Sequence, residues 1–474
     1  MLFIGIILIF ITGFSAVAMC GGTTSIIERT GLAFPTGIGI VTFAMLLADW
    51  IGLPLTRATD MNLAITLALI LTAVAAVLRK NDYFGLSFGK APLPGQLPTS
   101  GSSLGLAATF PIRKWNLLWI VFIGFIVWME YANFSKCMFL PVTDRDSLAG
   151  FDTTGFLVAA ENTLKGLSIY QESYIPTVHN AGSYISYTPM VPLSYAFVYS
   201  MGAETSKIIP ALMYLSFIIA FYGVVARTCT HTSAAIAVFF VMLAPEMTMF
   251  SSLSGTNVMH AIFASLSIIY FFRWYAKGDK GAFPLAILLL AINVWCRAEG
   301  IAFIAAAAVL AIIHAIRNKD YSCLCWGILS LVPAAAWALF TSANGMTTEE
   351  TVISHLFWDG EKASKIFAYA TALLTNTQYY GWAWPAFAIA VLANIVFLVK
   401  HKDAWSFPCL CLLSVSVYFL IVYQINYTWD SIDNVLNYSS KRFLFCFIPL
   451  AWYYFFSNRT ISVGMKKLTD ILAR

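Results

Sequence analysis

Trp115–Leu140, WNLLWIVFIGFIVWMEYANFSKCMFL, runs without a break into Pro141–Tyr170, PVTDRDSLAGFDTTGFLVAAENTLKGLSIY. The first half is apolar over a length that crosses a bilayer as one helix. The second half places Asp144, Asp146 and Asp152 directly after it. A carboxylate cluster beside lipid is costly unless it binds or catalyses something, so this loop is the expected active site and the rest of the chain its scaffold.

Working outward, the same apolar pattern covers most of the 474 residues. Hydrophobic residues make up 59% and charged residues 11%, and mean hydropathy is +0.77, outside the range of soluble globular domains. Alternating ten-residue strand patterns are absent, so the class is all-α, a polytopic transmembrane bundle of about 13 spans. The amino-terminal runs are Leu2–Cys20, Ala33–Leu53 and Met61–Leu78. The first lacks the basic start and small-residue cleavage site of a signal peptide and counts as a span. After Trp115–Met138 come Ile208–Ala226, Ser233–Phe250, Asn257–Trp274, Ala282–Cys296, Ile301–Ile316, Leu324–Phe340, Ala383–Val399, Phe407–Gln424 and Arg442–Phe456. A Gly/Pro/Ser-rich stretch that includes APLPGQLPTSGSS cannot build a core. It divides the chain into a three-span module (1–80), a linker (81–114) and a core (115–474) with an outer loop at 139–188.

Most of the 28 Lys and Arg residues fall on one side of these spans, among them Arg79, Arg227, Arg273, Lys277, Arg317 and Lys400. By the positive-inside rule that side is cytoplasmic, which puts the acidic loop, Arg297 and Lys441 on the other face of a plasma (inner) membrane. The net charge of +5 is then a topological signal and implies no nucleic-acid partner. For the parity to hold, Met190–Met201 must lie in the interface or re-enter, consistent with Pro189 and Pro192.

In order along 115–456, several motifs carry a family likeness. They are Gly150-Phe151-Asp152; a helix through Ala159, Ala160 and Leu164; Lys165-Gly166 up to Tyr170; Tyr187-Thr188-Pro189; Asn257 to Arg273; Cys296-Arg297-Ala298-Glu299-Gly300; and Lys441-Arg442-Phe443-Leu444 with Pro449. The chain resembles the GT-C superfamily of polytopic glycosyltransferases, in the branch of protein mannosyltransferases and of aminoarabinose and lipopolysaccharide-core sugar transferases. Departures are Asn257 where many relatives have Asp, and Thr188 and Ala298 where the pattern has Pro. The amino-terminal module has no counterpart in that pattern. The resemblance implies a GT-C-like fold with interfacial helices in the outer loop. It also implies transfer of a sugar from a polyprenyl- or dolichyl-phosphate carrier to a glycan, lipid or protein acceptor, by direct displacement with inversion.

Such a reaction needs a base for the acceptor hydroxyl and cations for the leaving phosphate. The resemblance puts the base at Asp152. Asp144 and Asp146 flank Arg145 and are catalytic candidates that either orient Asp152 or hold a divalent cation, Mg or Mn, since hard ions take oxygen ligands. Tyr187, Asn257, Arg297, Glu299, Lys441 and Arg442 are the substrate- and phosphate-binding candidates. Each has a plainer rival. Asp152 before Thr153-Thr154 suits a helix N-cap, Asp144 and Asp146 suit a solvated surface, Arg297 and Glu299 suit an ion pair across a turn, and Arg442 suits an interfacial anchor. His179, His260 and His355 lack zinc-ligand spacing, and the nine cysteines suggest no disulfide framework. Two other classes compete. A lipid or glycan transporter would carry charge near span centres and inverted repeats, neither of which stands out. A glycan polymerase or ligase would rely on Arg297, Arg442 and His179.

Overall fold

The computed structural model describes residues 1–20, 24–79, 83, 117–170, 187–346, 352–353, 358–400, 406–424, 426–427 and 430–472. The linker 81–114, apart from Tyr83 and with part of the outer loop and His179, lies outside the described residues. Three helices open the chain: α1 Leu2–Cys20, α2 Ile26–Trp50 and α3 Arg57–Leu78. The second starts seven residues earlier than its hydropathy suggests. Ser25 and Glu28 close a capping box, which satisfies the free N–H groups of the first turn. Glu28 Oε2 meets Arg227 Nη1 at 3.2 Å and Arg273 Nη1 at 3.3 Å and accepts from the Tyr270 hydroxyl at 2.7 Å, so its charge is answered although the side chain is fully buried.

Next come α4 Leu117–Phe139, a π-helical turn Ser147–Phe151 running into α5 Asp152–Glu161, α6 Met190–Ser200 and α7 Ile208–Thr228. The expected span Ser233–Phe250 is two helices, α8 His231–Leu243 and α9 Pro245–Phe250. Pro245 cannot donate into a continuing helix, and it sits at the start of the second piece. The chain continues through α10 Asn257–Lys277, α11 Ala282–Cys296, α12 Ile301–Asn318, α13 Ser322–Ile328, α14 Val332–Ala343, α15 Gly360–Leu374, α16 Thr377–Tyr380, α17 Ala383–Ala393, α18 Ile395–Lys400 and α19 Ser406–Gln424. The last elements are α20 Ile432–Val435, α21 Lys441–Leu444, α22 Ile448–Ser457 and α23 Arg459–Leu472. Apart from a two-residue pairing of Val352–Ile353 with Asn426–Tyr427, the described residues form helices and their connections.

Among the described residues, eight helical segments are long and apolar enough to cross a membrane: α1, α2, α3, α4, α7, α10, Ala298–Asn318 and Ser322–Ala343. Shorter apolar helices accompany them at His231–Leu243, Ala282–Cys296, Ala383–Ala393, Phe407–Leu420 and Phe445–Ser457. The central layer is α2, α7, α10 and α11, and α10 is the most enclosed long helix. The helices of the amino-terminal module are built into this layer. A Cβ on Gly31 would stand 2.1 Å from Ala220 N, and one on Gly39 would stand 2.6 Å from a methyl of Ile292.

Within the module α1 and α2 touch backbone to backbone. A Cβ on Gly13 would lie 1.8 Å from the Ala33 carbonyl oxygen, and one on Gly37 would lie 1.9 Å from that of Ile9. Small residues at such crossings replace the solvent-driven packing that lipid cannot supply. Gly37→Val is expected to lower stability by at least about 1–3 kcal/mol, the usual cost of overpacking. Thermal unfolding in detergent checks this against Gly464→Ala, where a new Cβ meets nothing within 4 Å.

Candidate functional site

The acidic loop is one helical run from Arg145 to Glu161. Asp144 is its cap: Oδ2 accepts from Ser147 N at 3.1 Å and from Ser147 Oγ at 2.8 Å. The capping role considered for Asp152 therefore belongs to Asp144. Asp152 sits inside the run, half-buried, and its Oδ1 accepts from the Tyr199 hydroxyl at 2.8 Å. Burial first, and then the hydrogen bond to Asp152, push the Tyr199 phenol up to about 12, so it remains a donor at physiological pH. Tyr195, one turn earlier on α6, is fully buried. Its phenol is raised by burial first and then by the charges of Asp152 and Asp144, among others, which puts both carboxylates within electrostatic reach of one ring.

Arg297 is 4% exposed. It follows α11 in extended backbone, with φ −158° and ψ 131°. Its Nη1 donates to Thr256 Oγ1 at 3.0 Å and to Asn257 Oδ1 at 2.6 Å, and its Nη2 pairs with Glu299 Oε1 at 2.9 Å. The ion pair across the turn is thus present, and the guanidinium also reaches the head of α10. The Tyr187 ring lies under it, 5.7 Å from centroid to Cζ, and stands edge-on to Phe151 at 5.3 Å. A Cβ on Gly255 would stand 3.8 Å from Asp144 Oδ2 and 3.9 Å from Asn257 Nδ2, so the cap of the acidic helix borders the arginine network.

Asp146 and Arg442 form a second link at 2.9 Å, with side chains 38% and 27% exposed. Tyr187 stands between the two links. Burial raises its phenol pKa, and Arg297, Glu299, Asp146 and Arg442 all act on it. Lys441 lies over the Tyr379 ring at 5.5 Å. Close by is a carboxylate missed in the sequence, Glu246, 6% exposed with its Oε2 unpartnered. Burial raises its pKa, and Lys441 and Arg442 oppose the rise. Its signal was present, because it is the one acid within Ser233–Phe250 and an ionisable residue in an apolar span is a site candidate by default. Tyr199 had no such signal, being one of several aromatics in an apolar stretch.

Most of the expected residues therefore gather at one end of the bundle. Asp144, Tyr187, Asn257, Arg297 and Glu299 form one connected group. Asp146, Arg442, Lys441 and Glu246 form a neighbouring one, and Asp152 with Tyr199 reaches the first through Tyr195, on which Asp152 and Asp144 both act. Among the described residues no three His, Cys, Asp or Glu side chains converge in a way that could hold a metal ion. Asp144 is engaged by Ser147 and Asp146 by Arg442. No family model, no curated protein and no solved structure matches the chain.

Asn257 stands where the resembled pattern has Asp, yet it already serves Arg297. Asn257→Asp is expected to be tolerated with stability unchanged or raised, because a carboxylate strengthens that hydrogen bond. Asn257→Leu removes the acceptor and is expected to cost about 1–3 kcal/mol. Paired melting curves of the two variants distinguish them.

Proposed function

We propose that this chain is a membrane glycosyltransferase of GT-C type. It moves a sugar from a polyprenyl- or dolichyl-phosphate carrier to an acceptor hydroxyl on the non-cytoplasmic face. The observation that carries the reading is the ion pair, at one polar end of an apolar bundle, between Arg442 and Asp146 on the helical run that also carries Asp152. Asp152 is the base, held by a phenol that leaves the carboxylate partly exposed. Arg442 and Lys441 receive the leaving phosphate, which a guanidinium matches with paired N–H donors. Arg297 is enclosed, so its part is to fix Asn257, Tyr187 and Glu299 around the acceptor. All 13 apolar helices cross in this reading. α6 does not, since it is buried in protein and hydrogen-bonded at both ends to groups of the same polar end.

A second reading, a lipid or glycan transporter, is favoured by one observation. Glu130, near the middle of α4, is 8% exposed, with the Asn133 side chain as its polar neighbour. Intramembrane carboxyls of that kind mark ion or substrate paths. Purified protein given polyprenyl-phosphate sugar and candidate acceptors, with and without Mg or Mn, distinguishes the two. Transfer supports the enzyme, whereas vesicle flux of the lipid without transfer, lost in Glu130→Gln, supports the transporter.

Asp152→Asn is expected to reduce transfer by about 10²–10⁴-fold, the usual loss of a general base. Melting temperature should stay near wild type, because Asn still accepts from Tyr199. Activity within a few-fold of wild type would remove Asp152 from the role of base. For orientation, cysteines replacing exposed Arg145 and Tyr438 in a background without native cysteine are expected to react with an impermeant thiol reagent in intact cells. A cysteine replacing Lys319 is expected not to react.

A further inference from the structure

The turn between α2 and α3 reaches across to both elements that hold Asp152. Asp49, 3% exposed at the end of α2, accepts from Thr163 Oγ1 at 2.8 Å and from Leu164 N at 3.4 Å. Lys165 Nζ donates to the Trp50 carbonyl at 3.0 Å, and Leu55 N donates to the Asn162 carbonyl at 2.6 Å. Asn162 is the left-handed residue, φ 59°, that ends α5. These four bonds therefore grip the acidic helix where it stops. On the other side, Arg57 Nε donates to the Ser200 carbonyl at 2.8 Å and Asp60 Oδ2 accepts from Ser200 Oγ at 2.9 Å. Ser200 adjoins Tyr199, the donor to Asp152, and the Tyr199 ring also packs edge-on against Phe156 of α5 at 5.7 Å. We infer that the amino-terminal module is a positioning clamp for Asp152, with Asp49 fixing the helix that carries the carboxylate and Arg57 and Asp60 fixing the phenol that aims it. The clamp rests on the transferase reading for its purpose, but its geometry can be tested separately.

The test uses the full chain in nanodiscs, with hydrogen exchange of 152–165 and steady-state transfer from polyprenyl-phosphate sugar as readouts. Asp49→Ala and, from the other side of the same bond, Thr163→Val are expected to speed exchange there about tenfold, the equivalent of one lost hydrogen bond. Exchange in α7 and α10 should not change. In both variants kcat is expected to fall about 10–100-fold with KM for the donor unchanged, as for a misplaced catalytic group. Asp49→Asn, which keeps an acceptor, should recover most of the rate, and Lys365→Ala, at an exposed ion pair, should change neither readout. Asp60→Ala and Tyr199→Phe should be non-additive in kcat if Asp60 acts through the phenol. Unchanged exchange at 152–165, equal loosening of α7 and α10, or additive kcat effects would overturn the clamp. Faster exchange at 152–165 in a protein that transfers no sugar would keep the clamp and reject the transferase.

Discussion

A guanidinium removed from water needs partners, and the polar end of this bundle is arranged around that need at Arg297. Its partners come from the head of α10, from its own turn and from the segment before α6, so three separate parts of the chain are fixed by one cation. Losing one partner of such a buried group costs more than the pair contributes on balance. The geometry of Asn257, Glu299 and Tyr187 is therefore linked and not independently adjustable. Asp144 joins through Gly255, where an added Cβ would meet both Asp144 Oδ2 and Asn257 Nδ2 at ordinary contact distance.

The helix that starts in this network ends in another. Asn257 and Arg273 lie roughly 24 Å apart along α10 at about 1.5 Å per residue, and between them the helix is almost wholly buried and apolar. That distance is close to the thickness of a bilayer core, roughly 30 Å. Charge is collected at both ends of one enclosed rod, which agrees with a membrane-crossing arrangement and explains why Arg273 needs Glu28 and Asp279 beside it.

Much of the helical layout was legible, because lipid-length apolar runs leave their mark on hydropathy directly. Where the reading failed, a polar residue had been made acceptable by a partner far away in sequence. The first turn of α2 fell outside the apolar run Ala33–Leu53, because the arginines that answer Glu28, Arg227 and Arg273, lie about two hundred residues on. The break at Pro245 was covered by apolar neighbours on both sides. Asp152 suited a cap as the plainer rival to its role as base, because three hydroxyl and carboxyl residues stand together, but the π-helical turn carries the helix back to Asp144. The pairing of Asp146 with Arg442 and of Asn257 with Arg297 follows from tertiary approach, which no spacing encodes. Tyr199 becomes a site residue only because α6 lies against α5.

Glu28 holds its neighbours unequally. Both arginines and the Tyr270 hydroxyl converge on a single oxygen, Oε2, while Oε1 turns back to Ser25. Either arginine can be lost and the carboxylate still has a cation, whereas loss of the carboxylate leaves two guanidinium groups side by side, with Asp279 still on Arg273. Sequence drift at this junction is therefore one-sided: the positive positions can vary one at a time, while a change of the acid disturbs both bases at once.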